Sequence, residues 1–552
     1  MSPSSTAVSA TTSPQPGTPV PQPVTQSKVS APTLTTHPYI GILGVFLGAG
    51  LATLNARLLS VGLPDLRGAM GFGVDEASWI PTALNAAMMF IGPFSVFLGS
   101  LFGPRRVLLP AAAIFIIASL LLPFSPNLTT MLILEVVAGL ACGTFYPLTL
   151  TFVLRNLPKH LIIFGVGAYS MDIVFSSNIA SAIQAWYQEH LSWHWIFWNA
   201  VWITPLMMMC VYLGIPRQPM PPKEARPNWR GFLYASLGFS LLYAALDQGE
   251  RLDWFKSGVI VGLFAAGVLM LGASLVRRWL QPNPLLNLGF LGNRNVFLLA
   301  AAIFFFKFVH LSAIVLIPSF LGNIQGYRPL ETGSALAWVA APQFVFGWIV
   351  AVLVIRFDTR VVMAAGFALM GVACWMSAHA DAAWAGFSFW NSELLLAFGL
   401  SMAYVGMVGA IILQGLESGA LQSAVNAATF SGWFHTIRIF GGQVGVAALN
   451  HFLSVREKFH SNRLGLDVSI SSWITEERLR MLTGGLLPHS SGLDEAQARA
   501  LGLLQLQVRK QAATLSYIDG FVLLEWSIVL FLVLAVFVKP FSVNYRLLSK
   551  AD

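Results

Sequence analysis

Seven ionisable residues lie inside long apolar runs of the chain, where a charge needs a partner or water. They are the acids Glu135 and Asp172 and the bases Arg57, Lys307, His310, His435 and Arg438. A charged side chain at mid-depth in a bilayer costs about 2.5–3.5 kcal/mol on insertion scales, so such residues tend to face one another or a watery cavity. The pattern predicts partners or a water-filled cavity for these residues, and Asp172 and Glu135, the two acids of the set, are the candidate groups for proton exchange.

Arg57 and Glu135 are predicted to form a charge pair. Arg57 lies six residues before the end of the apolar run 40–63, and Glu135 lies six residues after the start of the run 129–152. At a rise of about 1.5 Å per residue, both would lie roughly 9 Å below the same membrane surface. Equal depth permits an ion pair, which is either a structural clamp or a gating or coupling pair.

Asp172 has no helical neighbour of opposite charge in its own run, 161–184. A lone acid at mid-depth favours a role in carrying the coupling proton, because desolvation favours its protonated form. The structural alternative is a buried aspartate that is hydrogen-bonded to Asn178 or Ser176. These two interpretations remain open from the sequence.

A cavity between the helices should hold the substrate. Its candidate residues are Asn55, Arg57, Asp172, Lys307 and His310. Lys307 and His310 lie one helical turn apart and either bind an anionic substrate or extend toward the membrane surface. Aromatic residues on several runs, including Phe306, Trp338, Trp348 and Tyr404, suit an apolar or aromatic substrate.

The elements that position these residues are membrane-spanning helices. Of 552 residues, 56% are hydrophobic and 10% are charged, whereas charged residues make up roughly 25% of a soluble domain. Fourteen apolar runs approach the ~20 residues that cross a bilayer. They occupy 40–63, 77–100, 106–124, 129–152, 161–184, 195–214, 231–247, 257–276, 296–320, 334–355, 361–378, 391–414, 429–453 and 520–538.

The distribution of Lys and Arg between the runs predicts the orientation. With both termini in the cytoplasm, sixteen basic residues of the tails and short loops lie inside and only four, Arg67, Arg251, Lys256 and Arg328, lie in short outer loops. This matches the rule that cytoplasmic loops carry the excess of positive charge. The net charge of +8 therefore reflects membrane orientation, and no nucleic-acid partner is expected.

Other features of the chain exclude several classes of protein. Cys142, Cys210 and Cys374 all lie inside apolar runs and predict neither a disulfide framework nor a metal site. No cofactor or catalytic residue is predicted, because the only hint of an enzyme is the spacing from His489 to Asp494, which arises easily by chance. A membrane enzyme is thus the remote alternative.

Several motifs give the chain a resemblance to a known family. LNARLLSVGLPDLRGAMG resembles a first-helix motif that ends in a Leu-Pro pair, and GSLFGPRRVL keeps the Gly99, Gly103, Arg105 and Arg106 of an inner-loop motif. Later segments of the same family are similar to SWHWIFWNAVW, to GWFHTIRIFGGQVGVAAL and to KQAATLSYIDGF. The second of these contains Arg438. In order and place, these segments resemble the EmrB/QacA type of drug:proton antiporter, the fourteen-helix branch of the major facilitator superfamily.

The resemblance implies an all-α integral membrane protein with the major facilitator fold, in which two six-helix bundles flank two inserted helices. The implied segments are a disordered cytoplasmic tail (1–37), the N-terminal bundle (38–215), a cytoplasmic linker (216–230), the inserted pair (231–280), helices nine to thirteen (281–453), a long periplasmic loop (454–519), and helix fourteen with the cytoplasmic tail (520–552). The stretch DEAQARALGLLQLQVRKQAATLSY of the loop has helical periodicity and should continue into the last helix.

The implied function is proton-coupled efflux of drug-like or aromatic molecules across the bacterial inner membrane by alternating access. Besides substrate, protons and lipid, the expected partners include a periplasmic adaptor protein with an outer-membrane channel. The inner-gate residues would be Gly99, Gly103, Arg105, Arg106 and Arg438. Asn55 stands where the family usually has an acid, and the fifth run lacks the family's Gly-Pro pairs, so a facilitator or symporter is the alternative.

Overall fold

The computed structural model describes residues 37–217, 230–280, 292–419, 424–469, 472–542 and 544–548. Within these residues every regular element is a helix. The predicted tail 1–37, apart from its last residue, most of the linker 216–230 and the start of the segment 281–453 lie outside the described residues.

Six long helices form the N-terminal half. They are α1 (Pro38–Val61), α2 (Trp79–Phe102), α3 (Pro104–Leu121), α4 in two pieces (Leu128–Cys142 and Phe145–Asn156), α5 (Ile162–His190) and α6 (Trp195–Gly214). Proline occupies the first helical position of α1 and α3, where its missing N–H has no helical partner to lose.

Eight long helical segments follow in the described residues of the second half. They are α7 (Arg230–Gly249), α8 (Gly258–Leu280), α9 (Arg294–Leu311 with its continuation Ile317–Gln325), α10 (Pro329–Ala340 and Gln343–Arg356), α11 (Thr359–Ser377), α12 (Trp390–Glu417), α13 (Ala424–Asp467) and α14 (Leu493–Ala535). The two pieces of α9 are joined by a π-helical turn, Ser312–Leu316. Such turns occur frequently at functional sites.

Each half packs around its own apolar core. In the N-terminal half, α1 packs against α5, α6 and the second piece of α4, whereas the first piece of α4 packs against α2 and α3. In the C-terminal half, α12 packs against α9, α10 and α11, and α14 packs against α9, α11 and α13. Lipid gives no hydrophobic drive for helix association, so close contact relies on small residues. Gly41 of α1 and Gly214 of α6 lie against each other's backbone.

The two halves meet along two pairs of helices, α5 with α10 and α2 with α13. The buried core of the C-terminal half also includes Tyr169 and Ile173 of α5. The helix α7 packs against α8 on one side and against both α2 and α13 on the other. The inserted pair therefore lies beside the α2–α13 junction of the bundles.

Twelve helical segments in the described part of the chain are long and apolar enough to cross a membrane. The segments α7 and α13 are helical but are not among these twelve. Both carry polar or charged residues, such as Asp247 in α7 and Arg438 in α13. The chain is thus a multi-pass, all-helical membrane protein, and the full count of fourteen crossings remains a prediction.

The long segment 454–519 is largely helical in its described residues. The helix α13 continues without interruption from the bundle to Asp467, a hairpin helix spans Trp473–Leu486, and α14 begins at Leu493. The predicted helix that leads into the last crossing is confirmed by α14, which is continuous over 43 residues. Arg456 and His460 on α13 both contact Asp519 Oδ2 of α14 at 2.6 Å, and these contacts hold the two extended helices together.

Candidate functional site

A cluster of tyrosines closes the junction between the two bundles. The hydroxyl groups of Tyr146 on α4 and Tyr404 on α12 are 2.7 Å apart and form a buried hydrogen bond across the junction. The Tyr169 ring on α5 lies 5.0 Å from the Tyr146 ring and 6.3 Å from the Tyr404 ring, centroid to centroid. Phe306 of α9 packs edge-on against Tyr404 at 5.3 Å. Four helices from both halves therefore converge on one aromatic plug.

Arg438 of α13 lies on this plug. Its guanidinium carbon is 3.4 Å from the centroid of the Tyr146 ring, a cation–π contact, and its Nε is buried without a hydrogen-bond partner. The residue lies fourteen positions after Ala424, where α13 begins, or roughly 21 Å along the helix. Its role as an inner-gate residue stays a prediction.

His435 lies one turn before Arg438 and is also buried. Its ring centroid is 5.5 Å from that of Tyr146, and neither ring nitrogen has a hydrogen-bond partner among the described residues. The ring packs against Gly92 of α2, where a Cβ would meet His435 Nε2. His435 therefore belongs to the α2–α13 contact between the bundles.

Lys307 and His310 of α9 face the same junction from the C-terminal half. His310 is 1% exposed, and its Nε2 is 3.3 Å from the Asn178 amide nitrogen of α5. Lys307 is half-buried, and its side chain lies against Gly442 of α13, one turn from Arg438. The structure thus brings Lys307 and His310 to the contacts that α9 makes with α13 and α5.

Arg57 of α1 crosses the junction to the π-helical turn of α9. Its terminal nitrogen Nη2 donates a hydrogen bond of 3.3 Å to the Ile314 carbonyl oxygen. The π-helical turn lacks the regular i to i−4 pattern, so a carbonyl there is open to an outside donor. Asn55, two residues earlier, is buried, and its Oδ1 has no partner among the described residues.

The predicted charge pair of Arg57 and Glu135 is not formed. Glu135 is 1% exposed, and neither of its carboxylate oxygens has a hydrogen-bond partner in the described chain. Glu135 lies on the first piece of α4, which packs against α2 and α3, whereas the Arg57 side chain reaches α9 at Ile314. The pair prediction is therefore wrong for this conformation.

Asp172 lies on α5 where that helix meets α1. A Cβ on Gly50 would lie only 2.2 Å from Asp172 Oδ1, so glycine is needed there for the carboxyl group to fit. Asp172 Oδ2 is buried without a hydrogen-bond partner. Neither of the suggested bonds, to Asn178 or to Ser176, is formed within the described residues; the Asn178 amide donates to the Val174 carbonyl at 2.8 Å.

Two buried acids outside the predicted set complete the inventory. Glu393 of α12 is fully buried, and both of its oxygens lack a partner in the described part of the chain. Asp247 of α7 accepts hydrogen bonds from Thr82 of α2 and, at 2.8 Å, from Gln443 of α13. Both residues lie near the ends of their apolar runs. The sequence prediction considered only charges in the middle of each run and therefore did not include these two acids.

The Asp247 contacts belong to a polar cluster that ties α7 to both bundles. Gln248 donates to the Ser78 carbonyl of α2 at 3.0 Å. The carboxylate of Glu250 is 2.8 Å from His451 Nδ1 of α13. Its partial burial raises the pKa of Glu250, but hydrogen bonds from Trp254 and His451 outweigh this and bring the pKa below its ordinary value.

The inner-loop residues tie the connection between α2 and α3 to the end of α6. Gly103 adopts φ +82°, a region that residues with a Cβ rarely enter. Arg105 donates to the Ile215 carbonyl at 3.2 Å and stacks on the Tyr212 ring at 4.3 Å. Gly99 packs against Leu148 of α4, and Arg106 is exposed.

Comparisons with known proteins agree with this architecture. A family model described as Major Facilitator Superfamily matches residues 45–445. The chain is 25% identical to the colistin resistance protein EmrB of Acinetobacter baumannii, over 86% of this chain and 91% of the relative. It is 22% identical to the multidrug export protein EmrB of Escherichia coli, over 90% of this chain and 94% of the relative.

A solved structure of an auto-inhibited peptide transporter of the POT family superposes with a TM-score of 0.53 at 15% identity. The match covers 92% of this chain and 99% of that one. At this identity the likeness concerns the fold alone. The two EmrB relatives confirm the branch that the sequence motifs indicated.

Proposed function

Because the chain belongs to the Major Facilitator Superfamily, we propose that it is a secondary transporter that exports drug-like or aromatic molecules across the bacterial inner membrane in exchange for protons. The names of its relatives, a multidrug export protein and a colistin resistance protein, support export. Fourteen crossings with both termini in the cytoplasm complete the proposed topology.

The observation that carries the proposal is the plug between the bundles. Alternating access requires a contact that closes one side of the cavity and can be broken. The hydrogen bond between Tyr146 and Tyr404 and the cation–π contact of Arg438 join the two halves through a few side chains. Such a contact can open by rocking of one bundle without unfolding either core.

Asp172 is the proposed carrier of the coupling proton. It is a half-buried acid at the α1–α5 contact, and it receives no hydrogen bond from the described residues. Asn55 cannot titrate, so the acid that the family usually places on the first helix is not available. Glu135 remains a second candidate, since it too lacks a partner.

The segment 454–519 is the proposed contact for a periplasmic adaptor protein. Its helices extend beyond the bundle and expose apolar side chains, among them Trp473, Ile474 and Leu506. Removal of this segment should abolish resistance in cells and leave transport in proteoliposomes intact. Loss of both activities would instead assign the segment to the transporter itself.

Transport in proteoliposomes with a pH gradient of either sign tests the proposal. An antiporter accumulates substrate only when the gradient drives protons in the opposite direction. Uptake that follows the substrate gradient alone would favour a facilitator, and uptake in the direction of proton flow would favour a symporter. Asn55 is the residue that motivates these alternatives.

A further inference from the structure

Three basic side chains from three helices face the junction of the bundles without a carboxylate partner. They are Arg57 of α1, Lys307 of α9 and Arg438 of α13, and none of them takes part in an ion pair within the described residues. The Lys307 side chain lies against Gly442 of α13, one turn from Arg438, and Arg57 reaches α9 at Ile314, two turns from Lys307. Each Nε of Arg57 and Arg438 is buried without a partner.

Within the described residues, no acid forms an ion pair with these charges. Glu135 packs with α2 and α3, and the half-buried Asp172 lies against Gly50 of α1. Glu393 has no hydrogen-bond or ion-pair partner among the residues that the structure describes. Buried charges are normally paired with one another or with a ligand.

The protein offers polar or aromatic contacts to the two arginines of this site but not to the lysine. Arg57 has the Ile314 carbonyl oxygen, and Arg438 has the face of Tyr146. Lys307 has no hydrogen bond within the described residues, although its ammonium group carries three donors. The site thus has three basic groups, free hydrogen-bond donors and no negative charge. A bound anion would supply that charge.

We propose that this central site binds amphipathic organic anions, each with one carboxylate or sulfonate group on an aromatic or apolar body. This inference rests on the proposed transport function and names its substrate class. The planar guanidinium group matches the two oxygens of a carboxylate, and Lys307 adds a third point of contact. The body of the ligand would pack against Phe306 and the tyrosine plug.

The same charges exclude cationic substrates from this position. A cation beside Lys307 would meet three like charges in a poorly hydrated junction, where like-charge repulsion is much stronger than in water. A neutral amide of the same shape would gain the apolar contacts but leave the basic donors without a negative charge. The affinity should be highest for the anion, lower for the neutral analogue and lowest for the cation.

Three probes with one aromatic body test this order: 2-naphthoate, 2-naphthamide and 2-naphthylmethylammonium. Binding is measured with the purified full-length protein in detergent, and transport is measured in proteoliposomes with a pH gradient. The variant Lys307→Gln removes one charge of the site. Lys256→Gln is the matched control, because Lys256 is 82% exposed and lies outside the bundle junction.

The unsubstituted protein and Lys256→Gln should bind naphthoate in preference to both analogues. Lys307→Gln should weaken naphthoate binding by about ten- to a hundredfold, the usual worth of a charge-assisted contact, and leave naphthamide unchanged. Lys307→Arg, which keeps the charge, should retain most of the affinity. Because Lys307 has no ion pair within the described residues that the substitution would break, the melting temperature of Lys307→Gln should not fall.

Binding and transport separate this inference from the proposed function. Charge-selective binding that Lys307→Gln abolishes supports the site even if no gradient drives transport, a result that would contradict only the proton-coupled mechanism. Equal or tighter binding of the cation by the unsubstituted protein overturns the inference, even where that cation is exported. Unchanged naphthoate affinity in Lys307→Gln overturns it as well.

Discussion

Loss of one hydroxyl group from the tyrosine plug should shift the protein away from the conformation seen here. The Tyr146 and Tyr404 hydroxyls bond each other at 2.7 Å, and the Tyr146 and Tyr404 side chains are 7% and 2% exposed. Tyr404→Phe leaves the Tyr146 hydroxyl buried without its partner, which costs about 1–3 kcal/mol. If water reaches the plug in the other conformation, this cost falls only on the closed conformation. The ratio of the closed to the open population then falls by roughly five- to 150-fold.

A double-mutant cycle makes the prediction quantitative. Tyr146→Phe should have an effect similar to that of Tyr404→Phe. The double variant should shift the equilibrium less than either single change, since two apolar groups replace both partners. Tyr517→Phe is the matched control, because the Tyr517 hydroxyl accepts its hydrogen bond from Asn323 at 2.7 Å within the C-terminal half.

Distance measurements between spin labels report the equilibrium. Labels at Ser60 on α1 and Glu331 on α10 are exposed at the same predicted end of the two bundles, so their separation distinguishes the two conformations. Additive effects of the two Phe substitutions, or a shift of equal size in Tyr517→Phe, would refute the assignment of the plug as a gate.

Three further predictions concern the proton site, the inner loop and the topology. Asp172→Asn should abolish transport driven by a pH gradient while exchange of substrate without a gradient persists, as measured in proteoliposomes; full gradient-driven transport would refute the assignment. Gly103→Ala should lower the melting temperature, because a Cβ at φ +82° strains the backbone by about 1–3 kcal/mol, and an unchanged melting temperature would contradict this. A cysteine at Ser490 should react with an impermeant outside reagent in intact cells, whereas a cysteine at Lys539 should be protected; the opposite pattern would invert the proposed orientation.

The position of a residue along its helix was predictable from the sequence, whereas the neighbouring helix that its side chain faces was not. Apolar length located Arg57 near the end of α1 and Glu135 near the start of α4, and the helix bounds agree. Their pairing failed because contact also depends on which helices are neighbours. That arrangement is set by packing at small residues such as Gly41 and Gly214, and a single sequence does not show which glycines meet.

The tyrosine plug had little signal in the sequence. Tyr146, Tyr169 and Tyr404 lie on three helices, and an aromatic residue in an apolar run usually faces lipid or a neighbouring helix. Trp338 and Trp348, proposed from the same reasoning as Tyr404, are 39% and 48% exposed on the outside of the bundle. Only the fold distinguishes a ring at the junction from a ring at the lipid surface.

The arrangement of the acids narrows the choice of proton carrier further than the sequence could. Protonation of Asp247 would compete with the hydrogen bonds that it accepts from Thr82 and Gln443, and these bonds hold α7 to both bundles. Protonation of Asp172 breaks no hydrogen bond within the described residues. A proton on Asp172 would also change the α1–α5 contact at Gly50, on the same helix that reaches α9 through Arg57. Both contacts are on α1. A change of charge at Asp172 that shifts α1 would therefore also move Arg57 in the cationic site, and neither apolar core would need to repack.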